Sequence, residues 1–265
     1  MHRADTFQYL QRMRISRIYV PQPLEEGATL TISGQPAHHI THVLRLRTGT
    51  ELIVFGHGRE HRAVLRGIRR SELAIEVGAP CECMEESSID ITLLQGIARN
   101  DRMDLILQKS VELGVNSIQP LWMQRSQGRL KGERLEKRIQ HWQGVIISAC
   151  EQCGRSTLPE LLSPDDFAGR LTTRTFEGLN LMLQPDSATT LHDIPAPGGA
   201  IHVLVGPEGG MDTDEQALAA HAGFTGIRLG QRVLRTETAA FAALAGMQTL
   251  WGDFKQAAPR CTPTS

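Results

Sequence analysis

The stretch Val203-Leu204-Val205-Gly206-Pro207-Glu208-Gly209-Gly210 joins a buried strand to a turn rich in glycine and proline. The apolar run Ile201–Val205 predicts a strand covered on both faces, and Asp212 is placed to cap a following helix. Glycines in such a turn let the backbone approach a ligand and expose its N–H groups. The turn matches neither a Walker loop nor the G-x-G-x-x-G dinucleotide fingerprint, and taken alone it is an ordinary strand-to-helix turn.

A second glycine turn lies further along, in Leu229-Gly230-Gln231-Arg232-Val233-Leu234-Arg235-Thr236-Glu237-Thr238-Ala239. A predicted strand over 224–229 precedes it, and an alanine-rich helix over 237–251 follows. Thr236 or Thr238 could cap that helix, whose N-terminus could face an anion. An arginine–glutamate pair could simply brace the loop. Two such turns at the ends of neighbouring strands nevertheless favour a binding site.

Strands and helices alternate on both sides of these turns. This alternation predicts a mostly parallel sheet covered by helices on both faces, with ligands bound beyond the carboxyl ends of the strands. The expected strands cover 89–97, 117–123, 179–183, 201–205 and 224–229. The expected helices cover 102–113, 133–153, 212–221 and 237–251.

The first part of the chain has a different pattern, with short apolar or alternating runs between glycines and prolines. These runs predict a small barrel, interrupted by one helix around 38–46. The expected strands cover 17–20, 28–32, 51–55, 62–68 and 73–77. Up to Pro80 there are 11 Lys+Arg against 7 Asp+Glu, a net of +4, and the remainder carries 17 against 22, a net of −5. This asymmetry is as consistent with two domains that have different partners as with a chance distribution of charge.

The whole composition is that of an ordinary globular chain: 265 residues, a net charge of −1, 40% hydrophobic and 22% charged residues. We expect no membrane span, because no apolar run approaches the roughly 18 residues that one needs. The polar residues 1–14 argue against a signal peptide. Five cysteines, an odd number, fit a reducing compartment, so the expected location is the cytoplasm.

Together the two glycine turns resemble the RsmE family, the 16S ribosomal RNA uridine-N3-methyltransferases of the SPOUT superfamily. The similarity extends over about 13–254, nearly the whole chain. Further matching segments are Arg17-Ile18-Tyr19, His39–Arg45, Arg102-Met103-Asp104, Gln108–Val115 and Ala149–Arg155.

This resemblance implies an α/β fold with a C-terminal SPOUT trefoil-knot domain built on a mostly parallel sheet. A small N-terminal PUA-like β-barrel would bind RNA. The resemblance also implies S-adenosylmethionine as cofactor, 16S rRNA of the small ribosomal subunit as partner, and a homodimer. The expected segments are an extension over 1–12, the barrel over 13–80, a linker over 81–88, the knotted domain over 89–256 and a disordered tail over 257–265.

By the same resemblance, three loops would hold the cofactor through backbone groups and apolar walls. They are Leu183-Gln184-Pro185, Gly206–Gly210 and Leu229–Thr238. The residues assigned to cofactor binding are Leu183, Pro185, Gly206, Pro207, Gly209, Leu229, Gly230, Leu234 and Thr238.

The implied reaction is methylation at N3 of one uridine, uridine 1498 in that family. Uridine N3 carries a proton, so the enzyme must remove it and stabilise the charge that spreads onto O2 and O4. Arg232 or Arg235 could stabilise this charge by charge-assisted hydrogen bonds. Glu208 or Glu237 could be the base, or could hold an arginine in place. The alternatives are a SPOUT methyltransferase of another RNA position, such as a ribose 2′-hydroxyl, and a non-catalytic ribosome-assembly protein that binds RNA.

Basic residues supply the expected phosphate contacts. They are Arg17, Arg45, Arg125, Arg129 and Lys131. The cysteine pairs Cys81/Cys83 and Cys150/Cys153 have spacings that could bind zinc. The first pair lies in the expected linker and the second on a helix, so we expect no metal site.

Overall fold

The structure is a computed structural model that describes residues 15–34, 37, 40–41, 46–69 and 72–255. Contacts between Cα atoms divide these residues into two compact units. The first unit holds the described residues up to Glu85 together with Cys150–Leu158, and the second holds Glu86–Ala149 with Pro159–Lys255. The expected extension, tail and most of the helix around 38–46 lie outside the described residues.

The first unit contains one five-stranded sheet. Its strands are β1 (Arg17–Tyr19), β2 (Thr29–Ser33), β3 (Glu51–Gly56), β4 (Arg59–Arg69) and β5 (Glu72–Cys81). The order is β1-β3-β4-β5-β2, in which only the β1–β3 pair is parallel. All five predicted strands are therefore confirmed. Their alternating inward residues, such as Leu52, Val54, Leu73 and Ile75, form one apolar core.

The second unit is a seven-stranded sheet with five α-helices. The strands are β6 (Ile91–Gly96), β7 (Ser117–Trp122), β8 (Glu160–Leu161), β9 (Asp165–Asp166), β10 (Leu179–Leu183), β11 (Ile201–Val205) and β12 (Thr225–Ile227). The helices are α1 (Asn100–Glu112), α2 (Glu133–Cys153), α3 (Phe167–Thr173), α4 (Thr213–His221) and α5 (Thr236–Leu250). The last residues of α2, from Cys150 onward, cluster with the first unit. Short 3₁₀ helices cover Leu191–Asp193 and Asp253–Lys255. The sequence analysis missed β8, β9, α3 and both 3₁₀ helices.

All ladders of the second sheet are parallel, in the order β12-β10-β11-β6-β7-β8, with β9 also pairing with β7. The predicted mostly parallel sheet is thus confirmed. Its central strands are apolar almost throughout, because helices cover both faces. None of the described helices is both long and apolar enough to cross a membrane.

Helices α1 and α5 pack against each other in the second unit. Met103, Ile106 and Leu107 on α1 are fully buried, as is Leu244 on α5. Burying each such side chain contributes about 1.5–3 kcal/mol. The side chain of Gln248 also donates to the carbonyl of Leu113 at the end of α1, at 3.0 Å. This packing fixes the position of α5, and with it the loop that precedes the helix.

Candidate functional site

Three loops follow adjacent strands at one edge of the parallel sheet. Strand β10 lies between β12 and β11, so the segments beginning at Gln184, Gly206 and Arg228 leave the sheet side by side. The expectation that the two glycine turns end neighbouring strands is therefore wrong, because β10 separates β11 from β12. The separating strand carries the third loop assigned to the cofactor. This edge is where an open parallel sheet binds ligands.

The loop after β11, Gly206–Met211, is held tightly by its own backbone. A Cβ atom on Gly206 would lie 3.0 Å from the carbonyl carbon of Gly210 and from the nitrogen of Met211. The amide of Gly210 donates to the carbonyl of Pro207 at 2.8 Å, and Gly210 has a φ of 69°. Gly206 is needed for close packing within the loop, a reason that the sequence did not reveal.

Helix α4 begins with the predicted cap and also secures a neighbouring segment. The side chain of Asp212 accepts from the amide of Glu215, and the side chain of Glu215 accepts from the amide of Asp212. The buried Glu215 carboxylate also accepts from the amide of Gln124 at 2.7 Å. Arg125 then donates to the carbonyl of Gly209 at 2.7 Å. The segment after β7 is thus joined to the loop after β11.

Glu208 is bound to the start of helix α1. Its Oε1 atom accepts from the amide of Arg99 at 2.8 Å and lies 3.9 Å from the guanidinium of Arg102. A carboxylate at a helix N-terminus is stabilised by the free amides and the helix dipole. The carboxylate of Glu208 therefore fixes the loop after β11 to α1.

The loop after β12, residues 228–235, is open by comparison. Among the described residues, the amides of 229–234 have no hydrogen-bond partner. Leu229 and Leu234 are half-buried, and Val233 is 83% exposed. Arg232 and Arg235 are exposed, and neither forms an ion pair with any described residue. This loop presents free donors, apolar side chains and two positive charges at the edge of the sheet.

The alternative in which an arginine braces this loop by pairing with Glu237 is wrong in the described structure. The Glu237 residue is buried in the first turn of α5, at 8% exposure. Its Oε2 atom has no hydrogen-bond partner in the part of the chain that the structure describes. A buried carboxylate oxygen without a partner is costly, which makes it a candidate to bind a ligand group.

Neither threonine caps helix α5. The N-cap is Arg235, which makes no side-chain cap bond, and Thr238 is an exposed helical residue. The buried Thr236 hydroxyl instead donates to the carbonyl of Gly206 at 2.6 Å and accepts from Nε2 of Gln95 at 3.1 Å. Sequence reasoning missed Gln95. A glutamine at the end of a buried apolar strand was the available signal.

The third loop follows β10 and is fixed to β12. The amide of Gln184 donates to the carbonyl of Ile227 at 2.8 Å, and the hydroxyl of Ser187 donates to the carbonyl of Gly226 at 2.7 Å. Leu183 is half-buried and Pro185 is exposed. The structure brings this loop beside the other two, as the resemblance implies.

The residues assigned to phosphate contacts have different environments. Arg129 is exposed and forms an ion pair with Asp166, and Lys131 is exposed. Arg125 is also exposed, with its guanidinium on the loop after β11. Arg45 lies outside the described residues.

Arg17 is engaged inside the first unit. Its guanidinium pairs with Glu60 at 2.7 Å, donates to the carbonyl of Arg155 at 3.0 Å and lies 4.6 Å from the ring centre of Phe55. Nearby, Glu151 accepts from the amide of Tyr19, and burial raises the pKa of this carboxyl. We therefore leave Arg17 out of the RNA surface proposed below.

The four cysteines in question have no metal-binding arrangement in the described residues. Cys150 is buried, and Cys81, Cys83 and Cys153 are partly buried thiols. Within the described ranges, no group of three or more His, Cys, Asp or Glu side chains could hold a metal ion.

The comparisons with known proteins agree with this architecture. Residues 85–248 match the model of an RNA methyltransferase domain, and residues 32–78 match an RNA methyltransferase PUA domain. A Buchnera aphidicola protein named ribosomal RNA small subunit methyltransferase E is 31% identical over 93% of this chain and 98% of its own length. The chain therefore belongs to the RNA methyltransferase family, in the group named ribosomal RNA small subunit methyltransferase E.

Two solved relatives contain the cofactor that the resemblance implies. The Neisseria gonorrhoeae enzyme bound to S-adenosylmethionine is 41% identical, with a TM-score of 0.83 over 91% of this chain and 100% of that one. A methyltransferase from Legionella pneumophila, also with S-adenosylmethionine, is 36% identical, with a TM-score of 0.86 over 91% of this chain and 99% of that one. The family and the PUA-like N-terminal domain predicted from the sequence are thus confirmed.

Proposed function

We propose that this protein transfers a methyl group from S-adenosylmethionine to N3 of one uridine in 16S rRNA of the small ribosomal subunit. The observation that carries the proposal is the arrangement at the carboxyl edge of β12, β10 and β11. Three loops leave the sheet side by side there, and one of them presents unpartnered amides and two unpaired arginines within the described residues.

The residues at this edge fit S-adenosylmethionine. The half-buried leucines Leu183, Leu229 and Leu234 offer apolar surface for an adenine ring, and the amides of 229–234 are free to donate to its polar atoms. The loop over 206–210, already fixed by its hydrogen bonds, would form one side of the cofactor pocket. When bound, the cofactor supplies an electrophilic methyl group on a sulfonium, so the reaction needs no metal.

The protein must make the uridine nitrogen nucleophilic. Removal of the N3 proton leaves negative charge on O2 and O4 of the base. Arg235 or Arg232 would stabilise that charge, since both residues are exposed and neither has an ion-pair partner in the described residues. An arginine that is free before the substrate binds loses no internal pair when it binds the base.

Of the two candidate bases, the contacts favour Glu237. The Oε2 atom of Glu237 is buried and has no partner among the described residues, so the carboxylate keeps a free acceptor through which a water in the site could relay the uridine proton. The Glu208 carboxylate already accepts from the amide of Arg99 and lies near Arg102. We assign Glu208 the task of holding the loop after β11.

The RNA would be bound through phosphates by Arg125, Arg129 and Lys131, with further contacts from the PUA-like unit. The knot, the homodimer and the uridine position come from the resemblance, and the cytoplasmic location comes from the composition. We carry all four as parts of the proposal. A dimer is tested by the mass of the native protein in solution.

Two measurements test the proposed function. Calorimetry should detect binding of S-adenosylmethionine to this protein, whereas a non-catalytic RNA-binding protein would bind none. Purified protein should then add one methyl group per 16S rRNA when incubated with labelled cofactor and small subunits from a strain that lacks the enzyme. Absence of cofactor binding would refute the proposed enzymatic activity. Label found on ribose would favour a methyltransferase that acts on a 2′-hydroxyl.

A further inference from the structure

Two polar side chains are buried directly beneath the loops of the proposed site. Gln95, the next-to-last residue of β6, is 0% exposed, and Thr236, the first residue of α5, is 7% exposed. The sequence motifs that carry the resemblance do not assign a role to Gln95. Burying such groups is costly unless they satisfy specific hydrogen bonds.

Their hydrogen bonds join three elements at one point. Nε2 of Gln95 donates to the carbonyl of Gly96 at 2.9 Å and to the hydroxyl oxygen of Thr236 at 3.1 Å. The hydroxyl of Thr236 donates to the carbonyl of Gly206 at 2.6 Å. Nε2 of Gln95 also makes a longer contact with the carbonyl oxygen of Gly206, at 3.5 Å. The end of β6, the loop after β11 and the beginning of α5 are therefore linked through the side chains of Gln95 and Thr236.

Close packing brings these groups within reach of one another. A Cβ atom on Gly96 would lie 2.5 Å from Cδ of Pro207, so only glycine lets the end of β6 approach the Gly206–Pro207 peptide this closely. Pro207 is buried and has no amide hydrogen. The Gly206 carbonyl is held by the hydroxyl of Thr236 at 2.6 Å and by the longer contact with Nε2 of Gln95 at 3.5 Å.

We propose that Gln95 and Thr236 are positioning residues for methyl transfer, which align the cofactor loop after β11 with Arg235 and Glu237. Thr236 lies between these two residues in the chain, so fixing its hydroxyl fixes the backbone that carries both. The inference rests on the proposed function for its effect on the rate. A misplacement of about 1 Å in such a site can cost about a hundredfold in rate.

The test compares Thr236→Val, which keeps the shape of the side chain and removes the hydroxyl, with Thr236→Ser, which keeps the hydroxyl. It also compares Gln95→Met with Gln119→Met. Gln119 is a matched control: it is 1% exposed in the adjacent strand β7 and also donates to two carbonyls, those of Pro120 and Ser163. Among the described residues, Gln119 makes no hydrogen bond to the loops of the site.

The first readout is hydrogen–deuterium exchange of the full-length protein without cofactor. Thr236→Val and Gln95→Met should speed exchange in 206–211 and 235–239 by about tenfold, the loss of about one hydrogen bond. Thr236→Ser and Gln119→Met should leave these segments as in the unaltered protein. Equal exchange there in Gln95→Met and Gln119→Met would overturn the positioning role.

The second readout is the single-turnover rate of methyl transfer at saturating cofactor. Thr236→Val and Gln95→Met should lower it by about a hundredfold, and Thr236→Ser should restore most of it. A rate equal to that of Gln119→Met would also overturn the proposal. If the unaltered protein transfers no methyl to rRNA while the exchange result holds, the proposed function fails and the linkage of the loops remains.

Discussion

The two glycine-rich loops of the site differ in how much of each is already bonded. The loop after β11 is fixed by Thr236, by Arg125 and by the contact of Glu208 with the start of α1. The amides of 229–234 in the loop after β12 have no partner among the described residues. A rigid loop next to a loop with free hydrogen-bond donors suits a site in which the bound ligand accepts the hydrogen bonds that the second loop lacks. The difference teaches that glycine content alone does not reveal which loop is preorganised.

The largest effect is expected at Gly206. Gly206→Val places branched carbon atoms against the backbone of Gly210 and Met211, so the loop must move and cofactor binding should be abolished. The measurement is calorimetry with S-adenosylmethionine, with circular dichroism to follow folding. Gly199→Val is the control, because a Cβ atom there meets nothing within 4 Å. Normal affinity in Gly206→Val would show that the rigid loop is not part of the cofactor site.

The next effect concerns Arg235 in the open loop. If its guanidinium stabilises the developing uracil anion, Arg235→Ala should lower the single-turnover rate by about a hundredfold to a thousandfold with cofactor affinity nearly unchanged. Arg235→Lys keeps the charge without the planar fork and should recover only part of the rate. A joint loss of thermal stability and cofactor affinity, with unchanged chemistry, would instead mean that Arg235 supports the loop.

The two candidate glutamates are expected to have different roles, Glu237 as the base and Glu208 in holding the loop after β11. Glu237→Gln should reduce the methyl-transfer rate by about a hundredfold, as expected when a general base is lost. Glu208→Gln should change the rate little and lower the melting temperature slightly, because a charge at a helix N-terminus contributes about 0.3–1 kcal/mol. The reverse pattern would make Glu208 the base.

The smallest effect is expected at Arg125, which contacts the fixed loop from the segment after β7. Arg125→Ala removes one hydrogen bond to Gly209 and should weaken cofactor binding about tenfold. Arg129→Ala should leave cofactor affinity unchanged, and should weaken RNA binding uniformly with a lower dependence on salt. If both variants affect only RNA, Arg125 does not stabilise the cofactor loop.

Local patterns in the sequence were enough to predict most elements but not their arrangement. Strands β10 and β11 were predicted with their observed bounds, and the Asp212 cap is confirmed. The prediction that β11 and β12 are neighbours was wrong. Strand order depends on how the connecting segments cross the sheet, and a local sequence pattern does not reveal it. The two-residue strands β8 and β9 are too short to produce a periodic pattern.

The sequence indicated the loops of the proposed site but not the residues that hold them in place. The glycines, arginines and glutamates appear as a motif, whereas Gln95, which binds Thr236, and Arg99, which binds Glu208, lie over a hundred residues away from them along the chain. Cys150–Leu158 clusters with the first unit, where Arg155 and Ser156 contact Arg17 and Glu60. The boundary between the two units is therefore not a single point along the chain, and a local sequence pattern does not reveal this.

The central claim is that the chain methylates N3 of one uridine in 16S rRNA. The most direct measurement is mass spectrometric mapping of 16S rRNA from a strain that lacks the enzyme, before and after treatment with the purified protein and S-adenosylmethionine. The account predicts one new methyl group, on the uracil of a single uridine, that elutes as 3-methyluridine after digestion to nucleosides. A methyl group on ribose or on another base, or unchanged rRNA in the presence of bound cofactor, would contradict it.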